Sequence, residues 1–314
     1  ELVKAGFAAI ELMDATSMRV AQRDPEATAE LKAIKVVNHA ALLVEFQEAT
    51  AENLANKVSA VTPLFSALPL SQPAQLTSDA ATRNQIWHIR KGLYAAVAGN
   101  RPSGTTALLE DIAVPVTELL STCEELIALL VKHEYTDSVI FGHARDGNIH
   151  FMINEEFENP AKMQRYKLFT EEMVELVLAH GGTLKAEHGT GRMMAPFVRR
   201  QYGDELYEVM WALKRLIDPA GILNPGIILS ENLETHHENL KVFPKIQKVA
   251  DNCVECGYCE PICPSKDLTL TPRKRIVLQR ELVLAKAAGN TSLAKEIERE
   301  FAYDGADTCA VDGM

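Results

Sequence analysis

Long apolar segments are missing from this chain of 314 residues: no run approaches the roughly 18 residues that a membrane-spanning helix needs. The longest apolar stretch, Leu126–Val131, fits the core-facing part of a helix. The chain does not open on a secretory signal, and neither repeats nor low-complexity stretches occur. These absences exclude an integral membrane protein and a repeat architecture from the expected classes.

Basic residues are also scarce, because 32 Lys and Arg stand against 43 Asp and Glu, a formal net charge of −11. Nucleic-acid binding needs a basic surface, so we expect no nucleic-acid partner. Hydrophobic residues at 47% and charged residues at 24% are close to the globular average and exclude global disorder. At about 150 residues per domain, the length predicts about two domains.

Cysteines number only six, but four of them occur in one run, followed by Pro264: Cys253, Cys256, Cys259 and Cys263. The spacing Cys-x2-Cys-x2-Cys-x3-Cys-Pro is that of bacterial ferredoxins, in which the fourth cysteine ligates a different cluster from the first three. A disulfide knot and a zinc site are the alternatives. Nothing indicates an oxidising compartment, and zinc sites generally use two Cys-x2-Cys pairs with a longer spacer. The run therefore predicts iron–sulfur ligands.

A second cysteine motif is needed to complete both clusters, and Cys309 is interpreted as its first ligand. The sequence stops at Met314 before such a motif is complete, and it lacks an initiator methionine. We therefore expect a fragment of a longer protein that cannot ligate either cluster fully. Cys123 lies within a helical pattern and is interpreted as an ordinary buried thiol.

Hydrophobic patterning predicts three parts: residues 1–231 with alternating strands and helices, a polar linker over 232–250, and the cysteine module over 251–314. In the first part it predicts strands at 8–13, 41–46, 139–143 and 148–153, one ending at 112–115, and helices at 52–66, 116–132, 160–180 and 204–217, with another from 79 toward Tyr94. A turn at Arg145-Asp146-Gly147 is expected to pair two of these strands. In the cysteine module, residues 273–302 are predicted to be helical, because Lys, Arg and Glu recur there at i,i+4 spacing.

Two histidines, His143 and His150, lie seven residues apart across that predicted hairpin, so both can face one cation. A third segment supplies Glu187 and His188. Imidazole and carboxylate together suit zinc or a similar divalent ion with one position open, where the metal can polarise a substrate oxygen. A further histidine beside it is a candidate base. From the residues alone, histidines satisfied in polar turns are an equal alternative.

Arg90 follows an apolar helical stretch that contains Trp87 and Ile89. It either reaches into a cleft to bind a carboxylate with its forked guanidinium, or it belongs to a solvated helix face. Three other histidines are interpreted as structural or solvent-exposed: His88, His236 and His237.

Several of these segments resemble the C-terminal cap domain of FAD-linked oxidases: 87–90, 109–115, 142–150, 187–191 and 218–226. This is the D-lactate, glycolate and D-2-hydroxyglutarate dehydrogenase group of the vanillyl-alcohol oxidase superfamily, and the resemblance covers about residues 1–230. The cysteine run, with residues 264–273, resembles the two-cluster ferredoxin module fused behind that domain in large bacterial D-lactate dehydrogenases. The resemblance implies an α+β fold, a ferredoxin-like antiparallel sheet with helices on one side, followed by a mostly helical, truncated ferredoxin module.

The resemblance also implies roles for individual residues. The family's metal ligands match His143, His150 and Glu187. Its general base matches His188, and its substrate-carboxylate contact matches Arg90. Asn148 and Asn224 match positions at which the cap of that family approaches the flavin and the substrate.

The implied activity is that of a flavin- and iron–sulfur-dependent 2-hydroxy acid dehydrogenase. It would oxidise D-lactate to pyruvate and pass electrons from FAD through 4Fe-4S clusters to a quinone, a cytochrome or another acceptor. The FAD-binding domain would lie upstream, so we expect the chain alone to be inactive. The resemblance further implies a cytoplasmic protein, able to associate peripherally with the inner face of the membrane and to form a homo-oligomer.

Two alternatives stay open. The first is a D-2-hydroxyglutarate dehydrogenase, which needs a second cation for the distal carboxylate. Enzymes for that substrate tend to place a lysine where Leu109 stands, which favours a small monocarboxylate, although Lys91, Arg101 or Arg145 can supply the charge. The second is a non-catalytic electron-transfer subunit, which predicts no metal at the histidines.

Overall fold

A computed structural model of the chain describes residues 1–24 and 27–310. Five strands form one sheet in the order β2-β1-β4-β5-β3, and the pairs β1–β2, β1–β4 and β4–β5 are antiparallel. Their bounds are Ala9–Met13 (β1), Ala41–Glu45 (β2), Thr106–Ala113 (β3), Val139–His143 (β4) and Asn148–Glu155 (β5). The expected α+β fold built on an antiparallel sheet is confirmed.

Helices account for most of the remaining regular structure. Their bounds are Ala15–Ala21 (α1), Ala29–Ala33 (α2), Ala51–Ala67 (α3), Ala80–Gly99 (α4), Leu119–Lys132 (α5), Pro160–Ala179 (α6), Val198–Ile217 (α7), Lys248–Asp251 (α8), Pro272–Ala287 (α9) and Thr291–Phe301 (α10). Polar caps begin several of them: the Thr50 side chain accepts from the Asn53 N–H, and Asp79 accepts from the Thr82 N–H. None of the helices in the described ranges is both long and apolar enough to cross a membrane.

The hairpin of β4 and β5 depends on two glycines. Gly147 has φ +69°, a left-handed conformation, and a Cβ there would collide with the Val114 carbonyl oxygen. A Cβ on Gly142 would collide with the Asn148 carbonyl oxygen across the hairpin. The register that results places Phe141 opposite His150, while β1 places Glu11 opposite His143. Three polar side chains of the candidate site therefore come from neighbouring strands.

Two glycines divide helical segments that the sequence predicts. The helical segment expected over 273–302 consists of two helices, because α9 ends at Ala287 and α10 begins at Thr291. Gly289 between them has φ +71°, and the Asn290 side chain caps α10 by accepting from the Leu293 N–H. The helix expected over about 204–217 is the part of α7 that follows Gly203, whose non-helical φ of +79° separates it from a first helical segment beginning at Val198.

The chain divides into two compact units that are discontinuous in sequence. The first contains Glu1–Leu93, Leu109–Ile153 and Gln164–Asn239, and the second contains Tyr94–Leu108, Asn154–Met163 and the chain from Leu240 onward. In the first unit the sheet packs on α6, where the Phe151 and Phe169 rings meet edge to face at 6.0 Å. The division of the chain at 231 and 250 stays a prediction.

Candidate functional site

Glu11 joins two of the side chains singled out in the sequence. Its Oε1 lies 2.8 Å from Nδ1 of His143, its cross-strand neighbour. Its Oε2 lies 2.7 Å from a terminal nitrogen of Arg90, which reaches the sheet from α4. The two side chains of this ion pair are 7% and 11% exposed. The solvated-face interpretation of Arg90 is therefore wrong: the guanidinium is nearly buried and binds a carboxylate of its own chain.

The histidines of β4 and β5 both turn Nε2 toward Glu187. The distances from Glu187 Oε1 are 3.3 Å to His143 and 2.9 Å to His150, and the three ligand atoms lie within 4.8 Å of one another. Their opposite ring nitrogens face carboxylates, Glu11 for His143 and Asp111 at 3.6 Å for His150. A carboxylate behind each imidazole is the arrangement that orients histidine ligands of metal ions. The residues present therefore fit a divalent cation.

Asp111 holds the segment that carries Glu187 and His188. Its side chain is fully buried, and Oδ2 accepts hydrogen bonds from the backbone N–H groups of Ala186, Glu187 and His188 at 3.1, 2.8 and 2.8 Å. Its Oδ1 accepts from the Asn148 amide at 2.6 Å. With Oδ2 engaged by three donors, Asp111 is better placed to fix this segment than to ligate a cation.

His188 lies beside the ligand group and is open to solvent, with 42% of its side chain exposed. Its ring stacks on that of His150, with centroids 4.9 Å apart and planes at 13°. Its Nε2 is 3.6 Å from Glu187 Oε1. Asp111, His150 and His188 also form a possible ligand group, so the geometry permits His188 either role. The occupied lone pairs of Asp111 favour His143, His150 and Glu187 as ligands and leave His188 accessible to a substrate.

Burial on one side, and hydrogen bonds and neighbouring charges on the other, set the pKa values of the groups at the site. Burial raises the pKa of Glu11, but the hydrogen bond from His143 and the positive charge of Arg90 outweigh it and bring that pKa below the ordinary value. Burial likewise acts to raise the pKa of Asp111, and the N–H donors of His188, Asn148 and Glu187 lower it overall. The hydrogen bond to Glu11 raises the pKa of His143, whereas burial lowers that of His150. Ionised carboxylates and a neutral His150 suit metal binding.

The two asparagines differ in their placement. Asn148 is buried in the site, where its amide donates to Asp111 and, at 2.8 Å, to the Ile112 carbonyl oxygen. Asn224 lies in an exposed loop with φ +43°, and its carbonyl oxygen accepts from the Ile227 N–H. The structure thus brings five predicted residues into one cluster, with Asn148 attached to it through Asp111. The functional roles of all these residues stay predictions.

Glu11 and Asp111 were given no role by sequence reasoning. The sequence does contain a signal for them. Glu11 is the acidic residue of the apolar segment Ala8–Met13, and Asp111 lies with Glu110 in the otherwise apolar segment Leu109–Val114. Carboxylates are rarely buried unless they are paired or hydrogen-bonded. Which partners they find depends on strand register, and the linear sequence does not state it.

The cysteines of the run and Cys309 lie in the second unit, where Cys256 and Cys259 are exposed. The Cys253 sulfur accepts the Glu255 N–H at 3.4 Å, and positive φ values at Glu255 (+60°) and Gly257 (+85°) turn the chain between cysteines. Ser265 links the two predicted motifs: its hydroxyl lies 3.7 Å from the Cys263 sulfur and donates to the Thr308 carbonyl oxygen at 2.9 Å. Ser265 therefore connects Cys263 with the residue that precedes Cys309.

Cys123, by contrast, lies in the first unit on α5. Burial, followed by the negative charges of Asp14 and Glu124, raises the pKa of its thiol to about 11. Such a thiol is a poor nucleophile and a poor metal ligand at neutral pH.

Comparison with known proteins gives a consistent result. Residues 1–228 match the family described as FAD linked oxidases, C-terminal domain. The probable mitochondrial D-lactate dehydrogenase of Danio rerio is 34% identical over 151 residues, 48% of this chain and 30% of that protein. The glycolate oxidase subunit GlcD of Bacillus subtilis is 31% identical over 183 residues, 58% of this chain and 37% of the relative.

A D-2-hydroxyglutarate dehydrogenase of Haemophilus influenzae is 27% identical over 250 residues, 69% of this chain and 24% of that protein. The chain spans between 24% and 37% of the length of these curated relatives.

Proposed function

Because this chain belongs to the family of FAD-linked oxidases through their C-terminal domain, we propose that it supplies the metal- and substrate-binding part of a flavin-dependent 2-hydroxy acid dehydrogenase. One observation carries the proposal: Nε2 of His143 and of His150 both face Glu187 while carboxylates stand behind the rings. His143, His150 and Glu187 would hold zinc or a similar divalent ion. Such an ion, when bound, supplies Lewis-acid polarisation of the substrate hydroxyl and lowers its pKa.

Residues around the metal-ligand group are proposed to bind the substrate carboxylate and to remove the hydroxyl proton. Arg90 binds the substrate carboxylate, because its guanidinium has several N–H donors and one terminal nitrogen makes the contact with Glu11. His188 takes the hydroxyl proton, since its ring is exposed beside the ligands. FAD, which the family implies, would supply the hydride acceptor, so that the substrate would leave as a 2-oxo acid. Asn148 and Asn224 stay assigned to the approach to flavin and substrate.

D-lactate is the proposed substrate, and the engagement of several candidate cations in other contacts supports this choice. A distal carboxylate needs a second cation, yet Arg145 donates to the Ala8 carbonyl oxygen at 2.7 Å. Lys185 is held in a buried ion pair with Glu110 at 2.6 Å. The Arg101 guanidinium donates to backbone carbonyl oxygens of the second unit. Lys91, 5.8 Å above the Trp87 ring, is the remaining candidate named from sequence.

Electrons are proposed to leave the flavin through 4Fe-4S clusters toward a quinone, a cytochrome or another acceptor. The ligands would be the cysteines of the run together with the second motif that begins at Cys309: Cys253, Cys256, Cys259 and Cys263. The contacts of Ser265 with Cys263 and with Thr308, the residue before Cys309, support the assignment of both cysteines to one cluster. A cytoplasmic location, peripheral membrane association and homo-oligomer formation belong to the same proposal.

Metal analysis tests the proposal directly. The purified chain is expected to bind one equivalent of zinc or a similar ion, and His143→Ala is expected to lose it. His88→Ala is the matched control, because His88 has a 51% exposed side chain and lies outside the ligand group. Equal metal content in all three proteins would contradict the metal site and favour the non-catalytic electron-transfer subunit.

Turnover by the full-length protein tests the substrate. D-lactate is expected to be oxidised with a higher kcat/KM than D-2-hydroxyglutarate. The opposite order would replace the proposed substrate by the dicarboxylate and leave the metal site standing.

A further inference from the structure

Two arginines are buried in the second unit next to the first cysteine of the run. Arg101 is 6% exposed and Arg280 is 3% exposed. Their guanidinium carbons lie 4.9 and 4.4 Å from the centre of the Phe243 ring, so both cations contact the same aromatic side chain. Lys241 lies 5.3 Å from that ring centre as well. Three positive charges therefore surround one phenylalanine.

Both guanidinium groups donate to the carbonyl oxygen of Cys253, Arg101 at 3.0 Å and Arg280 at 2.8 Å. The other hydrogen bonds of Arg101 within the described chain also go to carbonyl oxygens, those of Ala98, Thr105 and Asn252. The two side chains thus fix the backbone of the first cysteine and concentrate positive charge on it.

Two carboxylates, Glu255 and Asp251, face the three positive charges of Arg101, Arg280 and Lys241. Glu255 pairs with Arg280 at 2.6 Å and also contacts Lys241. The Asp251 carboxylate accepts from the Ser103 hydroxyl and the Ile246 N–H instead of from a guanidinium. A buried cation without a carboxylate in contact is costly unless another anion compensates it.

We infer that Arg101 and Arg280 are positioning residues that balance the charge of an anionic iron–sulfur cluster ligated by Cys253 and raise its reduction potential. The inference rests on the cluster assignment made under the proposed function. Reduction adds one electron and hence one negative charge to the cluster. Nearby buried positive charges stabilise that reduced form more than the oxidised one.

The test uses the full-length protein, purified without oxygen, and two neutral variants, Arg101→Gln and Arg280→Gln. Iron and sulfide are measured first, and the midpoint potential of each loaded protein is then taken from a redox titration followed by electron paramagnetic resonance. Each neutral variant is expected to lower the equilibrium constant for reduction about tenfold, a shift of about 59 mV toward negative potential for one electron. One cluster signal should move, that of the cluster ligated by Cys253.

Two further variants separate charge from structure. Arg101→Lys keeps the positive charge and is expected to stay near the wild-type potential. Arg299→Gln removes an exposed cation of the same unit, 73% exposed, and is expected to change nothing. Failure of both glutamine variants to hold the cluster while Arg101→Lys holds it would also support the inference, because the charge is what differs.

Other outcomes overturn it. A loaded cluster with unchanged potential in both glutamine variants refutes the inference and leaves the cluster assignment intact. Cluster loss in Arg101→Lys as well would assign the arginines a purely structural role. A wild-type protein without iron and sulfide would remove the cluster assignment itself, and the inference with it.

Discussion

Asp111 accepts the backbone N–H of His188 at 2.8 Å, although the two residues are 77 positions apart in the chain. The same carboxylate oxygen accepts from the two preceding residues, Ala186 and Glu187. One buried side chain on β3 thereby sets the position of both a proposed metal ligand and the proposed base. A carboxylate that receives several backbone N–H groups also stays ionised, which strengthens each of these bonds.

Asp111→Asn is expected to weaken zinc binding by the chain about 10- to 100-fold, since residues that orient metal ligands typically contribute that much. The amide protons of residues 186–188 should also exchange faster with solvent. Competition with a chelator measures the affinity, and hydrogen exchange with mass spectrometry measures the protection. Asp146→Asn, in the exposed turn of the β4–β5 hairpin, is the matched control and should change neither quantity. Unchanged affinity in Asp111→Asn would contradict the positioning role.

Arg90→Lys tests the substrate-carboxylate contact while keeping a positive charge beside Glu11. Lysine lacks the planar fork of arginine, so a carboxylate loses part of its hydrogen bonding. In the full-length enzyme the KM for D-lactate is expected to rise about tenfold or more, with a smaller change in kcat. Steady-state kinetics checks this. An unaltered KM would mean that Arg90 serves only its ion pair with Glu11.

His188→Gln separates a base from a ligand. If His188 removes the hydroxyl proton, kcat of the full-length enzyme should fall about 10²- to 10⁴-fold while zinc content stays at the wild-type level. The measurements are turnover and metal analysis on the same preparation. Loss of zinc would instead place His188 in the ligand group with Asp111 and His150, which the geometry also permits.

The stability of the chain should depend on pH through His180. Hydrogen bonds with Glu118 and Glu125 raise the pKa of His180 above its unfolded value of about 6.5. Its contribution to the free energy of unfolding is therefore fully present below that unfolded pKa and is lost as the pH rises through the higher folded pKa. His180→Gln should destabilise the protein at acidic pH by less than about 1 kcal/mol and have little effect at alkaline pH. Urea titrations of both proteins at the two pH values check the sign; a larger loss at alkaline pH would contradict it.

Contacts between residues close in sequence could be predicted at this site, whereas contacts between distant residues could not. The hairpin with His143 and His150 was predictable because its turn, Arg145-Asp146-Gly147, is local and glycine favours the conformation found there. The contact of Glu11 with His143 was not, because it joins residues 132 positions apart through the register of β1 and β4.

The break between α9 and α10 shows a different limit. Gly289 and Asn290 are ordinary signals for a helix end and a helix start. Charged residues continue at helical spacing on both sides of them, and that pattern is equally compatible with one helix or two. The choice depends on tertiary packing, here the contact that lets α10 fold back against α9.

The pairing of β1 with β4 also limits how such a site can change over time. Side chains alternate between the two faces of a strand, so inserting one residue before Glu11 in β1 would keep the strand apolar and turn that carboxylate to the opposite face. His143 and Arg90 would then lose their common partner in a single step. A substitution changes one side chain of this centre, whereas a one-residue shift in β1 would separate both His143 and Arg90 from Glu11.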